Sequence, residues 1–216
     1  MNVIELFSSI DGEGKRQGFL TTFLRLHDCN IRCSYCDTLY SYGPESTFES
    51  MSVQAVADAI EQLENHRITI TGGEPLLQEP AIIELIDELT RRNARYDFNI
   101  ETNGTIIPSF HRDNVWFTYD YKTPSSLAEE AMNLDIFKVA TPADIIKFVV
   151  GSMQDLDRMN EILKTYPTDA QIFVSPVWGN IEGATIVDYM KAHNWQNVRF
   201  QLQIHKFIWD PDAKGV

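Results

Sequence analysis

The chain has 216 residues, 44% of them hydrophobic, and a formal net charge of −13 from 18 basic and 31 acidic residues. This length and apolar content are typical of one globular unit with a sizeable core, so we expect a single domain over residues 1–216. The acidic balance argues against a protein that binds nucleic acid, which needs a basic face. We therefore expect a small-molecule substrate.

Strands and helices are predicted to alternate along the chain. Runs rich in β-branched and aromatic residues predict strands over Met1–Phe7, Phe19–Leu26, Arg67–Thr71, Tyr96–Glu101, Val115–Tyr119, Ile145–Val150, Ile172–Ser175 and Val198–Leu202. Helical spacing of apolar residues predicts helices over Val53–Asn65, Glu79–Asn93, Met153–Thr165 and Ile181–His193. This order predicts an α/β fold with a parallel sheet.

The chain is shorter than the roughly 250 residues that a complete eightfold barrel needs. The segment Gly104–Asn114 is short and contains Pro108, so one expected helix is reduced or missing. We therefore expect an incomplete (β/α) barrel with reduced helices. No apolar run approaches the roughly 20 residues of a membrane span, and Met1–Phe7 lacks a signal-peptide pattern. The protein is accordingly expected in the cytoplasm, away from membranes.

All three cysteines of the sequence, Cys29, Cys33 and Cys36, fall within eight consecutive positions. Three thiolates suffice for three irons of a [4Fe–4S] cluster and leave the fourth iron open to a small molecule, whereas electron-transfer clusters usually have four cysteine ligands. A structural zinc site, completed by His27 or His205, remains the alternative. The closely spaced thiols also indicate a reducing compartment.

Polar segments follow the ends of five predicted strands. They are the cysteine loop, Gly72-Gly73-Glu74-Pro75, Glu101–Gly104, Asp120–Lys122 and Ser175–Pro176. Because the carboxyl ends of barrel strands share one face, and enzymes of this architecture have their active sites there, we expect these segments to form one site.

The Cys-x3-Cys-x2-Cys spacing, the aromatic Tyr35 before the last cysteine, and Gly-Gly-Glu-Pro about 35 residues later resemble the radical S-adenosylmethionine (SAM) superfamily. Four further segments are similar to the 7-carboxy-7-deazaguanine synthase family: Phe7–Gly14, Phe23–Leu26, Cys36–Thr38 and Gln203–Lys206. The resemblance implies a radical SAM lyase of queuosine and deazapurine biosynthesis. Such an enzyme converts 6-carboxy-5,6,7,8-tetrahydropterin into 7-carboxy-7-deazaguanine and releases ammonia.

The same resemblance implies the cofactors and the partners. The cofactors are a [4Fe–4S] cluster on the three cysteines, SAM, and Mg²⁺ on Thr38. The SAM contacts are Tyr35, Asp37, Gly72, Gly73, Glu74, Asp120, Tyr121, Lys122 and Ser175. The partners are an electron donor such as flavodoxin or ferredoxin and a second copy of the chain in a homodimer.

The implied substrate contacts are Ile10, Asp11, Gly12, Glu13, Arg25, Thr71, His205 and the carboxylate of Val216. A guanidinium such as that of Arg25 suits a substrate carboxylate, because its fork of donors matches two oxygens. The chain departs from the family at Asp11, where many members have Gln, and at Asp120-Tyr121, where many have Ser-Pro.

Two other functions are compatible with parts of the pattern. One is an activase that installs a glycyl radical in a partner protein, although Arg25 and the Asp37-Thr38 pair have no evident use in that reaction. The other is a non-catalytic zinc-binding module, which would be colourless, whereas an iron–sulfur protein is brown.

Overall fold

The structure is a computed structural model that describes residues 1–211 and 213–216. Within these residues, nine strands form one sheet in the order β3-β1-β2-β4-β5-β6-β7-β8-β9. The strands are β1 Asn2–Ile10, β2 Leu20–Leu26, β3 Glu49–Ser50, β4 Arg67–Gly72, β5 Asp97–Thr102, β6 Val115–Lys122, β7 Ile145–Val150, β8 Gln171–Pro176 and β9 Val198–Phe200.

Strand β2 and the six strands β4 to β9 are neighbours in the sheet, and these seven strands are all parallel. Strand β1 is antiparallel to both β2 and β3. In the described residues the edge strands β3 and β9 do not pair, so the sheet stays open. The predicted incomplete barrel is confirmed. Strand β1 was predicted over Met1–Phe7, but its antiparallel direction and its extension to Ile10 were not.

The helices are α1 Val53–Gln62, α2 Glu79–Arg92, α3 Ile136–Val139, α4 Met153–Thr165, α5 Gly183–Ala192 and α6 His205–Ile208. The described segment between β5 and β6 contains no α-helix, and the β6–β7 connection contains two short 3-10 helices and the single α-helical turn of α3. The prediction of reduced helices is therefore correct. None of the described helices has the length and apolar character needed to cross a bilayer.

The parallel strands bury apolar side chains on their outer face and point polar side chains inward. In β7, Ile146, Phe148 and Val150 are fully buried in the core beneath the helices. Lys147 lies on the opposite face, because successive side chains of a strand point to opposite sides. The sheet therefore encloses a polar interior within an apolar shell.

The turn after β1 closes the amino-terminal end of this interior. Lys15 Nζ lies 3.8 Å and the Arg16 guanidinium carbon 4.1 Å from the centroid of the Trp116 ring. Arg16 also pairs with Asp97 at 2.8 Å and donates to the carbonyl of Ile68 at 3.1 Å. Ligands must therefore enter from the opposite, carboxyl-terminal end.

Candidate active site

A cavity of about 270 Å³ lies at the carboxyl end of the parallel strands. The cysteine loop, the Gly72-Gly73 turn, the inward-facing strand residues and the C-terminal segment all contribute to its wall. The residues predicted from the sequence that line it are Ile10, Asp11, Gly12, Glu13, Arg25, Cys29, Cys33, Tyr35, Cys36, Asp37, Thr38, Thr71, Gly72, Gly73, Asp120, Lys122, His205 and Val216.

Two predicted SAM contacts, Tyr121 and Ser175, do not line the cavity. Tyr121 belongs to the outer face of β6, where it is 1% exposed and its hydroxyl donates to Glu129 at 3.0 Å. The predicted contact of this side chain with SAM is corrected, because the alternation of β6 points only its neighbours Asp120 and Lys122 inward. Ser175 is fully buried and lies behind Glu13, to which its hydroxyl donates at 3.4 Å.

Glu74 also lies away from the cavity wall. Its carboxylate is fully buried and accepts from the backbone N–H of Leu76 at 2.9 Å and of Asn103 at 2.7 Å. The hydroxyl of Thr102 donates to both of its oxygens. Burial raises the pKa of Glu74 above its usual value. In this structure the Glu74 carboxylate fixes the end of β5, and its predicted contact with SAM stays a prediction.

The two glycines of the motif are required by backbone contacts. Gly72 has φ +143°, and a Cβ there would lie 2.3 Å from the carbonyl oxygen of Leu26. A Cβ on Gly73 would lie 2.0 Å from the carbonyl oxygen of Asp28. The turn therefore packs directly against the start of the cysteine loop and determines where that loop lies.

The three cysteines are free thiols that border the same cavity. Burial raises the pKa of Cys33 to about 11 and that of Cys29 above its usual value, so these thiols stay protonated until a metal displaces the proton. Among the described residues, no three His, Cys, Asp or Glu side chains are grouped to hold one metal ion. Three thiols spread around a cavity fit a four-iron cluster better than a zinc ion, whose ligands lie within about 2.3 Å of it.

A network of buried charges forms the floor of the cavity. Lys147 Nζ lies 3.1 Å from Glu13 Oε2 and 3.6 Å from Asp120 Oδ2, and Lys122 Nζ lies 2.9 Å from the same Asp120 oxygen. Burial raises the pKa of Asp120, but the two ammonium groups outweigh this effect and hold that pKa below its usual value. Asp120 is therefore ionised, and its Oδ1 is buried without a hydrogen-bond partner among the described residues.

Two further carboxyl groups in the cavity have raised pKa values. Burial, with the nearby Glu101 charge, raises the pKa of Asp11 to about 7, and the hydroxyl of Thr69 donates to Asp11 Oδ2 at 3.2 Å. Burial also raises the pKa of Glu101, which accepts from Thr71 at 3.1 Å. The cavity thus places the ionised Asp120 beside two carboxyl groups that take up a proton more readily than usual.

Arg25 and Thr38 lie on the wall formed by β2 and the cysteine loop. Arg25 Nε donates to Glu5 Oε1 at 2.6 Å, and within the described residues its terminal nitrogens have no such bond. Thr38 Oγ1 donates to Asp37 Oδ1 at 2.9 Å, and Lys206 Nζ lies 3.6 Å from Asp37 Oδ2. The guanidinium can therefore receive an anion near a hydroxyl and a carboxylate that are able to bind a cation.

The C-terminal segment packs across the β1–β2 turn. The N–H of Ile204 donates to the carbonyl of Gly12 at 3.2 Å, and Gln17 Nε2 donates to that of Leu202 at 2.6 Å. A Cβ on Gly12 would lie 2.0 Å from His205 Nδ1, so glycine admits the imidazole. Burial lowers the pKa of His205. The histidine is thus held at the cavity, mainly in its neutral form.

The lining residues that our site prediction omitted include Asn103, Glu101 and Lys147. The run Ile145–Val150 contains one charged residue among five apolar ones, and this was the available signal for Lys147. The signal for Glu101 and Asn103 was their position at a strand end. We noted that position without assigning either residue a role.

The comparisons with known proteins agree with this geometry. The model of the radical SAM superfamily matches residues 25–149. The 7-carboxy-7-deazaguanine synthase of Clostridium acetobutylicum is 38% identical over 99% of this chain and 98% of its own length. That of Methanospirillum hungatei is 38% identical over 98% of this chain and 86% of its own.

A solved structure has the same fold. The crystal structure of QueE from Escherichia coli matches with a TM-score of 0.69 at 24% identity, covering 93% of this chain and 92% of that one. Together with the near full-length relatives, this match accounts for the whole open barrel and not only for the cysteine segment. The chain belongs to the radical SAM superfamily and, within it, to the 7-carboxy-7-deazaguanine synthase family.

Proposed function

We propose that the chain is a radical SAM lyase that converts 6-carboxy-5,6,7,8-tetrahydropterin into 7-carboxy-7-deazaguanine with release of ammonia. The observation that carries this proposal is the meeting of the three thiols, the Gly72-Gly73 turn and Arg25 at one cavity, in a chain with near full-length similarity to synthases. That similarity also disfavours the glycyl-radical activase and the zinc module. In addition, neither of these two functions explains the polar strand residues.

Cys29, Cys33 and Cys36 would hold the [4Fe–4S] cluster. When bound, the cluster and SAM supply the 5′-deoxyadenosyl radical that begins the reaction. The chain's own contribution is positioning. Tyr35 places an aromatic ring at the cavity, and its hydroxyl is fixed to the carbonyl of Val149 at 3.2 Å. Asp120 Oδ1 offers a free, ionised acceptor for the hydroxyl or ammonium donors of SAM.

The opposite wall suits a carboxylated pterin. The terminal nitrogens of Arg25 would bind the substrate carboxylate as a fork of donors. The carboxyl groups of Glu13 and Asp11 would accept from, or donate to, the polar edge of the ring. Val216 and His205 lie at the same cavity and would close over the substrate. These contacts would orient the ring towards the cysteine loop and exclude water.

The experiment that tests the reaction uses the anaerobically reconstituted protein with SAM, dithionite and 6-carboxy-5,6,7,8-tetrahydropterin. Mass spectrometry should detect 7-carboxy-7-deazaguanine together with 5′-deoxyadenosine. A Cys33→Ala variant, which lacks a cluster ligand, should form neither. Formation of 5′-deoxyadenosine by the wild type without the deazapurine would reject this substrate.

We also propose that Thr38 binds Mg²⁺ through Oγ1. Mg²⁺ accepts a few protein oxygens and takes the others from water and substrate, which suits a single hydroxyl next to the Asp37 carboxylate. Thr38→Ala should keep the cluster but lose most of the activation by Mg²⁺, whereas Thr38→Ser, which keeps the hydroxyl, should retain it. Equal Mg²⁺ activation of the alanine variant and the wild type would reject the assignment.

The proposed partners follow from family membership. Reduction of the cluster requires an electron donor such as flavodoxin or ferredoxin, and relatives suggest a homodimer. The free thiols indicate a reducing compartment, for which we propose the cytoplasm. Sedimentation of the reconstituted protein would measure the oligomeric state directly.

A further inference from the structure

Asn103 lies between the end of β5 and the cysteine loop. Its backbone N–H donates to the buried Glu74 carboxylate at 2.7 Å, and the residue is only 6% exposed. The carboxylate of Glu74 therefore fixes the point from which the Asn103 side chain extends towards Cys29.

The amide group of Asn103 has only one consistent orientation. Its Oδ1 lies 3.1 Å from the backbone nitrogen of Thr105. That N–H is a donor only, so the atom facing it must be the amide oxygen and the atom on the other side must be the nitrogen. Thr105 Oγ1 also donates to the same oxygen, at 2.7 Å. Two donors thus fix the side chain.

The remaining bonds close a ring of three side chains. Asn103 Nδ2 donates to Asn30 Oδ1 at 2.9 Å, and Asn30 Nδ2 donates to Thr105 Oγ1 at 2.8 Å. The first amide proton of Asn103 is thereby used. The second is directed at Cys29, whose Sγ lies 3.7 Å from the same nitrogen. This distance is suitable for an N–H···S hydrogen bond.

We propose that Asn103 tunes the redox potential of the cluster, because its Nδ2–H donates to the sulfur of Cys29. The inference rests on the proposed function only in requiring that Cys29 ligates a [4Fe–4S] cluster. One-electron reduction adds negative charge to the cluster and its thiolates. A donor directed at a ligating sulfur stabilises that charge more in the reduced state than in the oxidised state, and so raises the reduction potential.

The test is a redox titration of the reconstituted protein without SAM, followed by the electron paramagnetic resonance (EPR) signal of the reduced cluster. Asn103→Asp keeps the shape and the acceptor for Thr105 but replaces the donor with an oxygen. Asn103→Ala removes the donor without adding a charge. Thr105→Val is the matched control, since it removes a ring hydroxyl but leaves the backbone N–H that orients Asn103. Only preparations that contain about four irons per chain are compared.

Both Asn103 variants should show a more negative midpoint potential than the wild type. We expect the ratio of reduced to oxidised cluster at a fixed potential to fall up to about tenfold, which corresponds to about 59 mV for one electron. Thr105→Val should change the midpoint potential little. An unchanged potential in either loaded Asn103 variant, or an equal shift in Thr105→Val, would overturn the inference. Failure of the wild type to take up iron would instead reject the proposed function.

Discussion

Lys147 balances much of the negative charge in the cavity. Its ammonium group faces Glu13 and Asp120 at 3.1 and 3.6 Å, and the residue is 6% exposed. Burial lowers its pKa, but the neighbouring carboxylates outweigh this and raise that pKa well above its usual value, so the side chain is charged. Lys147 therefore connects Glu13, a proposed substrate contact, with Asp120, a proposed SAM contact on β6.

Replacing this charge should reduce stability. Lys147→Met removes the ammonium partner of Glu13 and one of the two ammonium partners of Asp120, and breaking a buried pair typically costs about 3–5 kcal/mol of unfolding free energy. Lys147→Arg keeps the charge and should lose much less. Lys122 and Lys147 depress the pKa of Asp120, so the stability that Asp120 contributes is present above its usual pKa and is lost as the pH falls. The loss of unfolding free energy in Lys147→Met should therefore become smaller in urea unfolding as the pH falls below 3.8, the usual pKa of an aspartate. A deficit that does not depend on pH would contradict this account.

Asp11 should produce the opposite pH dependence. Its pKa rises from 3.8 to about 7 in the folded chain, so ionisation opposes folding and stability falls as the pH rises between these values. Asp11→Asn removes this effect. The unfolding free energy of Asp11→Asn, relative to that of the wild type, should increase by about 2 kcal/mol from about pH 5.5 to about pH 8, at about 1.4 kcal/mol per pKa unit.

The control for this measurement is Asp87→Asn, at an exposed residue that pairs with Arg112 at 3.2 Å. Its unfolding free energy should follow that of the wild type across the same pH range. If Asp11→Asn shows no greater advantage at the higher pH, the carboxyl group of Asp11 is ionised in the folded protein at both values.

At the scale of single elements, the contact between the Gly72-Gly73 turn and the cysteine loop is the most sensitive to substitution. A Cβ on Gly73 would lie 2.0 Å from the carbonyl oxygen of Asp28 and 2.9 Å from Cys29 Cβ. Because the neighbouring atoms belong mainly to the backbone, the loop must move. Gly73→Ala should cost about 1–3 kcal/mol and reduce iron uptake.

Gly151→Ala is the matched control, because its nearest neighbours lie at 3.4 Å and belong to the side chains of Asn180 and Ser125. Iron analysis after reconstitution should give a wild-type value for Gly151→Ala and a lower value for Gly73→Ala. Equal iron contents would show that the turn does not determine the position of the cysteine loop.

The elements with strong periodicity were predictable from the sequence. The predicted bounds of β7 and α4 coincide with the observed ones, Ile145–Val150 and Met153–Thr165. The predicted helix Val53–Asn65 ends early, at Gln62, and Glu64 adopts φ +54°, a backbone conformation that apolar spacing does not reveal. The antiparallel direction of β1 was not predictable either, because the alternation of side chains along a strand is the same in both directions.

The site was predictable as a set of strand ends but not as a set of side-chain directions. The motif containing Glu74 was recognised, yet its carboxylate is occupied by Thr102 and Asn103. Tyr121 was assigned to SAM together with Asp120, although adjacent residues of one strand must face opposite sides. Hydrogen bonds between residues distant in sequence decide such roles, and only the assembled fold shows them.

In the whole molecule, the open sheet separates an apolar core on its outer face from a polar cavity on its inner face. The outer face of the strands packs against helices through apolar side chains, and this core stabilises the fold. The inner face carries the charged and hydroxyl side chains that surround the cavity. Closure of the amino-terminal end by the Arg16–Trp116 contact leaves one polar mouth, next to the cysteines.

We propose that this mouth holds a cluster with three cysteine ligands and one iron open to SAM. The most direct measurement combines iron and sulfide analysis of the reconstituted protein with EPR spectra of the reduced cluster before and after SAM is added. We expect about four irons and four sulfides per chain and a spectrum that changes on SAM binding. Stoichiometric zinc without iron uptake, or a spectrum that SAM leaves unchanged, would contradict it.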